Sequence, residues 1–367
     1  MSATEPKSGQ PEPIEAPSSL APEPATATTA KTLPMLPPEH WTEVAGQDGD
    51  GGDDADSAHG DDAAESTASL TSTILRYRTI RGRTYHSEIG NAQYWGANDD
   101  GHSESLDILN HVFNLCLDGR LYVAPITDDP KKVLDIGTGT GIWAIDFADQ
   151  FPGCDVIGTD ISPIQPGWVP PNLRFEIEDC TREWTFEENG FDFVHIRYLT
   201  GCILDWTEFF KEAYRCLKPG GWLQSYESSP TVFSDDDTLP KDSAIAQWGP
   251  IFMGGGEKTG RTFAVVDDGL QNTAMEKAGF VDVQEKWIEV PSGGWPKDPK
   301  LREIGQFSQV ALLSDVEGFI LFFTNVLGWS RDQVQVYIAH LRRELRSLKH
   351  HVYYKQKIVW GRKPEAQ

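Results

Sequence analysis

A glycine-rich segment, Val133-Leu-Asp-Ile-Gly-Thr-Gly-Thr-Gly-Ile-Trp143, constrains the fold of this chain more than any other feature. The apolar run before it predicts a short buried strand at Lys132–Ile136, and the residues after it predict a helix over Gly141–Gln150. Between the strand and the helix lie three glycines, Gly137, Gly139 and Gly141. Glycine lets the backbone approach a ligand closely at the start of a helix, so this loop predicts a cofactor site.

Strands and helices alternate through most of the chain. The predicted strands are Lys132–Ile136, Asp155–Thr159, Leu173–Ile177, Phe191–Arg197, Trp222–Tyr226, Val281–Val290 and Tyr353–Trp360. The predicted helices are Ser103–Leu117, Gly141–Gln150, Thr207–Leu217 and Leu270–Ala278, followed by a largely helical stretch at Pro299–Leu348. This alternation predicts an α/β fold with a doubly wound, mostly parallel sheet.

The spacing of the glycines separates two classes of cofactor. A dinucleotide site has the pattern G-x-G-x-x-G, but Ile142 occupies the position that its third glycine would need. The observed pattern is D-x-G-x-G-x-G, with Asp135 at the end of the strand. A carboxylate there can accept hydrogen bonds from an ammonium group, so the loop favours a nucleoside cofactor with an amino-acid end.

Acidic residues follow the next two strands. Asp160, with Ile161 beside it, ends the second strand, where a carboxylate would hold ribose hydroxyls of either cofactor class. Asp179 follows the third strand and is placed for an adenine amino group, with Cys180 next to it for a backbone contact. Helix-capping aspartates would explain each residue singly, but their repetition at successive strand ends favours a binding site.

These residues resemble the class I S-adenosylmethionine-dependent methyltransferases. The run VLDIGTGTG is similar to their first motif, and the later motifs match in order through Leu217-Lys-Pro-Gly-Gly221. More specifically, YWGAND at 94–99, GTDISPIQPGWVPPN at 158–172 and VWGRKP at 359–364 resemble the fungal LaeA-like methyltransferases. The similarity covers about Arg83 to Pro364, and the family pattern is interrupted by Gly101-His102-Ser103.

The resemblance implies a Rossmann-like, seven-stranded, mostly parallel sheet whose last strand is antiparallel. It also implies S-adenosyl-L-methionine as the cofactor and methyl transfer (EC 2.1.1.-) as the activity. The family is associated with secondary metabolism, as cluster enzymes that methylate a metabolite or as regulators. Two functions therefore stay open, a catalyst acting on a small-molecule or protein acceptor and a regulatory subunit that works through protein partners. A nicotinamide enzyme is a third, weaker alternative.

Composition excludes several other functions. The chain carries 32 basic and 56 acidic residues, a net charge of −24 that opposes direct binding to nucleic acid or to an anionic membrane. The five cysteines are scattered and the nine histidines form no metal-binding motif, so no metal site is expected. No run of 18 apolar residues and no secretory signal is present, which predicts an intracellular protein of the cytoplasm or nucleus.

The chain divides by composition into five segments. Residues 1–69 hold 14 acidic residues against two lysines, and nine of the 24 prolines precede residue 40, so a disordered tail is expected. Deleting this tail should leave the melting temperature unchanged. The remaining segments are an N-terminal cap with a helix at 70–125, the cofactor-binding core at 126–298, a helical lid insertion at 299–349, and the final strand and C-terminus at 350–367.

The catalytic candidates are Glu227, at the carboxyl end of the fifth strand, and His195, which could equally be a core histidine. Methyl transfer from a sulfonium depends mainly on alignment, so a general base is optional. A cofactor at a sheet edge needs a cover, and we expect Tyr94 and at least one of Phe319, Phe322 and Phe323 to approach its methyl group.

Overall fold

The structure is a computed structural model that describes residues 33–47, 77–86 and 94–366. All of these residues lie within one unit, Thr32–Gln367. The predictions for residues 1–32, 48–76 and 87–93 lie outside the described residues.

A seven-stranded sheet forms the centre of this unit. Its strands are β3 (Lys132–Ile136), β4 (Asp155–Asp160), β5 (Leu173–Ile177), β6 (Phe191–Arg197), β7 (Leu217–Phe233), β8 (Val281–Pro291) and β9 (Tyr353–Arg362). Their order is β5-β4-β3-β6-β7-β9-β8. Strands β3 to β7 pair in parallel, and β9 pairs antiparallel with both β7 and β8. The predicted seven-stranded sheet with an antiparallel last strand is confirmed.

Helices cover both faces of the sheet and one of its ends. They are α1 (Glu39–Gln47), α2 (Asp100–Cys116), α3 (Ile142–Gln150), α4 (Trp206–Cys216), α5 (Trp248–Thr259), α6 (Leu270–Ala278), α7 (Pro299–Ser314), α8 (Val316–Val326) and α9 (Arg331–Ser347). A short hairpin, β1 (Arg78–Ile80) and β2 (Arg83–Tyr85), precedes α2. Helices α7 to α9, here called the helical insertion, connect β8 to β9.

The N-terminal helix α1 lies within the predicted tail at residues 1–69, most of which is outside the described residues, so the prediction for the tail as a whole stays a prediction. Trp41 is 2% exposed, and its ring packs edge-on against Tyr337 and close to His340, both on α9. The backbone N–H of Leu36 also donates to Gln247 Oε1 at 2.8 Å. One tryptophan in a polar stretch therefore supplies enough apolar surface to fix this part of the segment.

A buried ionic cluster ties the N-terminal hairpin to the helical insertion. The Arg83 guanidinium donates to both carboxylate oxygens of Asp99 and of Asp315, at 2.5–2.9 Å. Asp315 also contacts His102 Nδ1 at 3.0 Å and caps α8 through the backbone N–H of Gly318. Asp99 caps α2, which begins earlier than the predicted Ser103. Segments more than 200 residues apart in the chain are thereby held together.

Two further features of the described residues concern membranes and metals. No single helix among them is long and apolar enough to cross a bilayer; α7 and α8 reach that length and composition only as a pair bent by 56°. No group of three or more His, Cys, Asp or Glu side chains in these residues is arranged to hold a metal ion. The intracellular location stays a prediction.

Candidate functional site

The carboxyl ends of four parallel strands open into one cavity of about 1080 Å³, including its mouth. We call it the sheet-edge cavity. Its lining includes seven of the eleven predicted site residues: Tyr94, Gly137, Gly139, Asp160, Ile161, Asp179 and Cys180. These residues come from separate strand ends and from the N-terminal segment, and the sheet brings them to one edge as parallel topology requires.

The glycine loop forms the floor of this cavity between β3 and α3. A Cβ on Gly139, which has a φ of +58°, would meet no atom within 4 Å, so this residue faces open space. Gly141 has a φ of +82° and is needed for another reason, since a Cβ there would lie 2.3 Å from Phe175 Cζ. Gly141 therefore shapes the loop without lining the cavity.

Asp160 and Asp179 line the part of the cavity above β4 and β5. Asp160 accepts hydrogen bonds from the backbone N–H groups of Gly139 and Ser162, both at 2.9 Å. Burial raises the pKa of Asp160 to about 6, although these two donors oppose the shift. Asp179 accepts from the N–H and hydroxyl of Thr181 at 3.0 and 2.6 Å. The oxygens of both carboxylates can still accept hydrogen bonds from a ligand.

Asp135 and His195 form a pair beneath the loop instead of facing the cavity. Asp135 is 3% exposed; its Oδ1 lies 2.7 Å from His195 Nδ1 and its Oδ2 accepts from the Thr138 hydroxyl at 2.6 Å. The His195 ring is stacked on Trp143 with centroids 3.7 Å apart, and burial lowers its pKa. Neither residue is among the described residues that line the sheet-edge cavity. Asp135 therefore supports the loop through Thr138. A catalytic role for His195 stays a prediction.

Glu227 is also fully buried, and its predicted contact with substrate stays a prediction. Its carboxylate accepts from the backbone N–H groups of Leu199 and Thr200, at 3.1 and 2.8 Å, and from the Thr200 hydroxyl at 3.0 Å. Burial raises the pKa of Glu227 to about 7. Glu227 thus holds the turn that follows β6, where Tyr198 adopts the unusual φ of +60°. It is a positioning residue for that turn.

A second cavity, of about 900 Å³, lies between the sheet and the helical insertion. We call it the apolar cavity, because aromatic and aliphatic side chains form most of its wall: Trp95, Leu109, Ile245, Trp248, Phe252, Phe263, Leu312, Phe319, Leu341 and Leu345. Its polar groups are few and include Thr200, Ser228, Ser308 and Tyr354. Leu109 and Tyr198 line both cavities, so the two cavities are neighbours that share these side chains as a wall.

The covering aromatic residues divide between the two cavities. Tyr94 lines the sheet-edge cavity, and Phe319 lines the apolar cavity. Phe322 and Phe323 line neither; Phe322 packs near Tyr85, and Phe323 packs on Trp95 and Phe263. Approach of Tyr94 and Phe319 to a methyl group stays a prediction.

Sequence analysis missed several lining residues, of which Arg197, Asn110 and Tyr198 matter most. Arg197 is the last residue of β6, so the reasoning that selected Asp160 and Asp179 at strand ends could have found it. Asn110 lies on α2, and nothing in the sequence indicates that this helix crosses the sheet edge.

Known proteins resemble this chain over most of its length. Residues 108–285 match a family model described as a methyltransferase domain. Methyltransferase pytC of Aspergillus terreus is 37% identical over 83% of this chain and 93% of its own length. The secondary metabolism regulator LAE1 of Cochliobolus heterostrophus is 34% identical over 77% of this chain and 94% of its own.

Similarity to solved structures is weaker. The phosphoethanolamine N-methyltransferase 2 of Haemonchus contortus, solved with phosphomonomethylethanolamine and S-adenosylhomocysteine, has a TM-score of 0.39 at 19% identity. That match covers 71% of this chain and 53% of the other, and it supports no further conclusion. The sequence relatives are sufficient, and the chain belongs to the LaeA-like family of S-adenosylmethionine-dependent methyltransferases.

Proposed function

We propose that this chain methylates a small apolar acceptor that binds in the apolar cavity beneath the helical insertion. One observation carries the proposal: the apolar cavity lies next to the sheet-edge cavity and shares the side chains of Leu109 and Tyr198 with it. A concave, mostly apolar space with a few polar groups is typical of small-molecule sites. If the acceptor were a protein side chain, the site would instead need an open groove that admits the backbone of the acceptor protein.

The described residues of the sheet-edge cavity fit S-adenosylmethionine. The Asp160 carboxylate would accept from ribose hydroxyls, the Asp179–Cys180 segment would contact the adenine, and the open face at Gly139 leaves room for the nucleoside. When bound, this cofactor supplies an electrophilic methyl group on a sulfonium and a neutral thioether leaving group.

The chain's own contribution is to align the acceptor and to exclude water. Glu227 fixes the Leu199–Thr200 turn, which places Tyr198 in the wall that the two cavities share. Tyr94 lines the sheet-edge cavity and Phe319 lines the apolar cavity, so each ring would exclude water from its side of the reacting groups. Alignment of reacting groups within a dry space supplies much of the barrier reduction for such a transfer, so no dedicated base is required by the proposal.

The test compares acceptor classes directly. Purified full-length protein is incubated with S-adenosylmethionine and either a panel of apolar hydroxy- and carboxy-aromatic compounds or a pool of folded proteins and peptides. Formation of a methylated small molecule and an equal amount of S-adenosylhomocysteine would support the proposal. Transfer to proteins alone would overturn it.

The second candidate is a regulatory role through a protein partner in secondary metabolism. Relatives include proteins named secondary metabolism regulators, such as laeA of Aspergillus fumigatus at 29% identity. The specific observation is Trp168, which is 90% exposed in the loop after β4 that also contributes Ile161 and Ile164 to the sheet-edge cavity. An exposed tryptophan beside a binding site is typical of a contact surface.

Two variants in the native host separate these candidates. If the partner role dominates, Trp168→Ala should change metabolite production to the same extent as deletion of the gene, while transfer in vitro is unchanged. Trp287→Ala is the matched control, because Trp287 is 46% exposed on the edge strand β8. If catalysis dominates, Gly139→Val gives the deletion phenotype and Trp168→Ala does not.

A further inference from the structure

Arg197 is a cation that faces the sheet-edge cavity without an anionic partner. Its Nη2 donates to Asn110 Oδ1 at 2.7 Å, and its guanidinium carbon lies 4.8 Å from the centre of the Phe113 ring. Both partners are neutral; Asp135 and Asp146 act on the guanidinium electrostatically, but no carboxylate of the described residues forms an ion pair with it. Burial lowers the pKa of Arg197, which reflects the cost of holding a charge there.

Acidic and basic side chains lie at opposite ends of the sheet-edge cavity. Going along the sheet, Asp179 follows β5, Asp160 ends β4, the glycine loop follows β3 and Arg197 ends β6. Among the described residues that line this cavity, Arg197 is the only lysine, arginine or histidine. The two ends of the cavity therefore have opposite charge, with carboxylates at the β4–β5 end and a guanidinium at the β6 end.

S-adenosylmethionine has a matching asymmetry. Its adenosine presents hydroxyl and amino donors, which suit carboxylates, and its amino-acid end presents an α-carboxylate, which needs a cation. A guanidinium binds a carboxylate through two parallel N–H···O bonds, and such charge-assisted bonds strengthen in a partly dry site.

We propose that Arg197, oriented by Asn110, binds the α-carboxylate of the cofactor's amino-acid end. Asn110 holds one edge of the guanidinium and leaves its other donors for the ligand. Phe113 supports the guanidinium from one side, so the N–H donors of Arg197 are positioned before the ligand binds. The assignment rests on the proposed function only in that both use this cofactor, because the acceptor binds in the other cavity.

Two probes isolate the contact without an acceptor. S-adenosylhomocysteine carries the α-carboxylate, whereas 5′-methylthioadenosine has the same nucleoside and sulfur but no amino-acid end. Calorimetry with full-length protein should show that Arg197→Gln weakens S-adenosylhomocysteine binding about tenfold or more, the scale of a lost charged hydrogen bond. The affinity for 5′-methylthioadenosine should change less than about twofold, which also shows that the variant is folded.

A second variant tests the charge while keeping the side-chain shape. Asn110→Asp places a carboxylate beside Arg197, so it should neutralise the guanidinium and weaken S-adenosylhomocysteine binding to a similar degree with 5′-methylthioadenosine unaffected. Arg174→Gln, on β5 and paired with Asp155 and Glu176, is the matched control and should bind both probes normally.

The outcomes separate this inference from the proposed function. Equal weakening of both probes in Arg197→Gln, or unchanged S-adenosylhomocysteine binding, would overturn the carboxylate contact and leave acceptor methylation standing. If Arg197→Gln weakens only S-adenosylhomocysteine binding and the protein methylates only proteins, the carboxylate contact is supported and the proposal of a small apolar acceptor fails.

Discussion

The two cavities differ in how the chain builds them. The sheet-edge cavity is lined largely by residues at the ends of neighbouring strands, with a glycine loop whose backbone approaches the ligand space. The apolar cavity draws its wall from α2, α5, β7 and all three helices of the insertion, which are distant in the chain. Apart from its wall on α2, the first needs only local motifs on a parallel sheet, whereas the second is built mainly by docked helices. Under the proposed function, cofactor binding and acceptor choice can therefore vary independently.

The largest effect is expected from Gly139→Val, which should abolish binding of S-adenosylhomocysteine in calorimetry. A β-branched residue at a φ of +58° is strained, and its methyl groups would occupy the ligand space. Gly153→Val is the control, because a Cβ at Gly153 also meets no atom within 4 Å but φ is not positive and the residue precedes β4. Near-normal affinity in Gly139→Val would show that the loop is not the ligand floor.

The next effect separates the cavities. Ser308→Phe should reduce transfer to an apolar acceptor about a hundredfold or more while S-adenosylhomocysteine affinity stays within about twofold, because the added ring fills only the apolar cavity. Val310→Phe lies on the same helix but is 49% exposed, and it should retain activity. Loss of cofactor affinity in Ser308→Phe would show that the two spaces are coupled.

An intermediate effect concerns Asp160. Asp160→Asn should weaken S-adenosylhomocysteine binding by about 1.5–3 kcal/mol, the value of charged hydrogen bonds to ribose hydroxyls. Since the pKa of Asp160 is about 6, the wild-type affinity should fall as the pH drops below about 6, whereas the variant should show a flat profile. A calorimetric pH series measures both, and a wild-type profile without this drop would contradict the role of the ionised carboxylate.

The same pKa has an opposite consequence for folding. The folded carboxyl keeps its proton to a higher pH than the unfolded one, whose pKa is 3.8. The contribution of Asp160 to stability is therefore largest below pH 3.8 and is lost as the pH rises to about 6. Ligand binding and stability should respond to pH in opposite directions at this residue.

The smallest effect on ligand binding is expected at Trp41. Trp41→Ala should lower the free energy of unfolding by about 3–5 kcal/mol, because it removes a buried ring from the contact with α9, and the melting temperature should fall by several degrees. S-adenosylhomocysteine affinity should be unchanged. Met35→Ala is the control, because Met35 is exposed. An unchanged melting temperature in Trp41→Ala would instead support the predicted independence of the tail at residues 1–69.

The limits of sequence reasoning are visible in particular elements. Strands β3, β5 and β6 begin and end at the predicted residues, since short apolar runs between turns specify buried strands. Helix α5 was missed because Gly254-Gly-Gly256 lies inside it, and glycine is unfavourable in a helix unless packing compensates. There Gly255 and Gly256 leave no room for a Cβ beside Phe323 and Arg261.

The sequence alone determined the parallel sheet, the cofactor class and the residues at the strand ends. The periodicity of apolar residues and the spacing of the glycines are local properties of the chain, and parallel strands bring their carboxyl ends to one edge of the sheet. Only the tertiary structure decided which carboxylates are free. The sequence places Asp135 and Glu227 at predicted strand ends, as it does Asp160, but in the structure His195 and the Leu199–Thr200 turn occupy their oxygens. The apolar cavity and the contact of Asn110 with Arg197 likewise depend on helix docking, where buried area and not sequence spacing selects the partners.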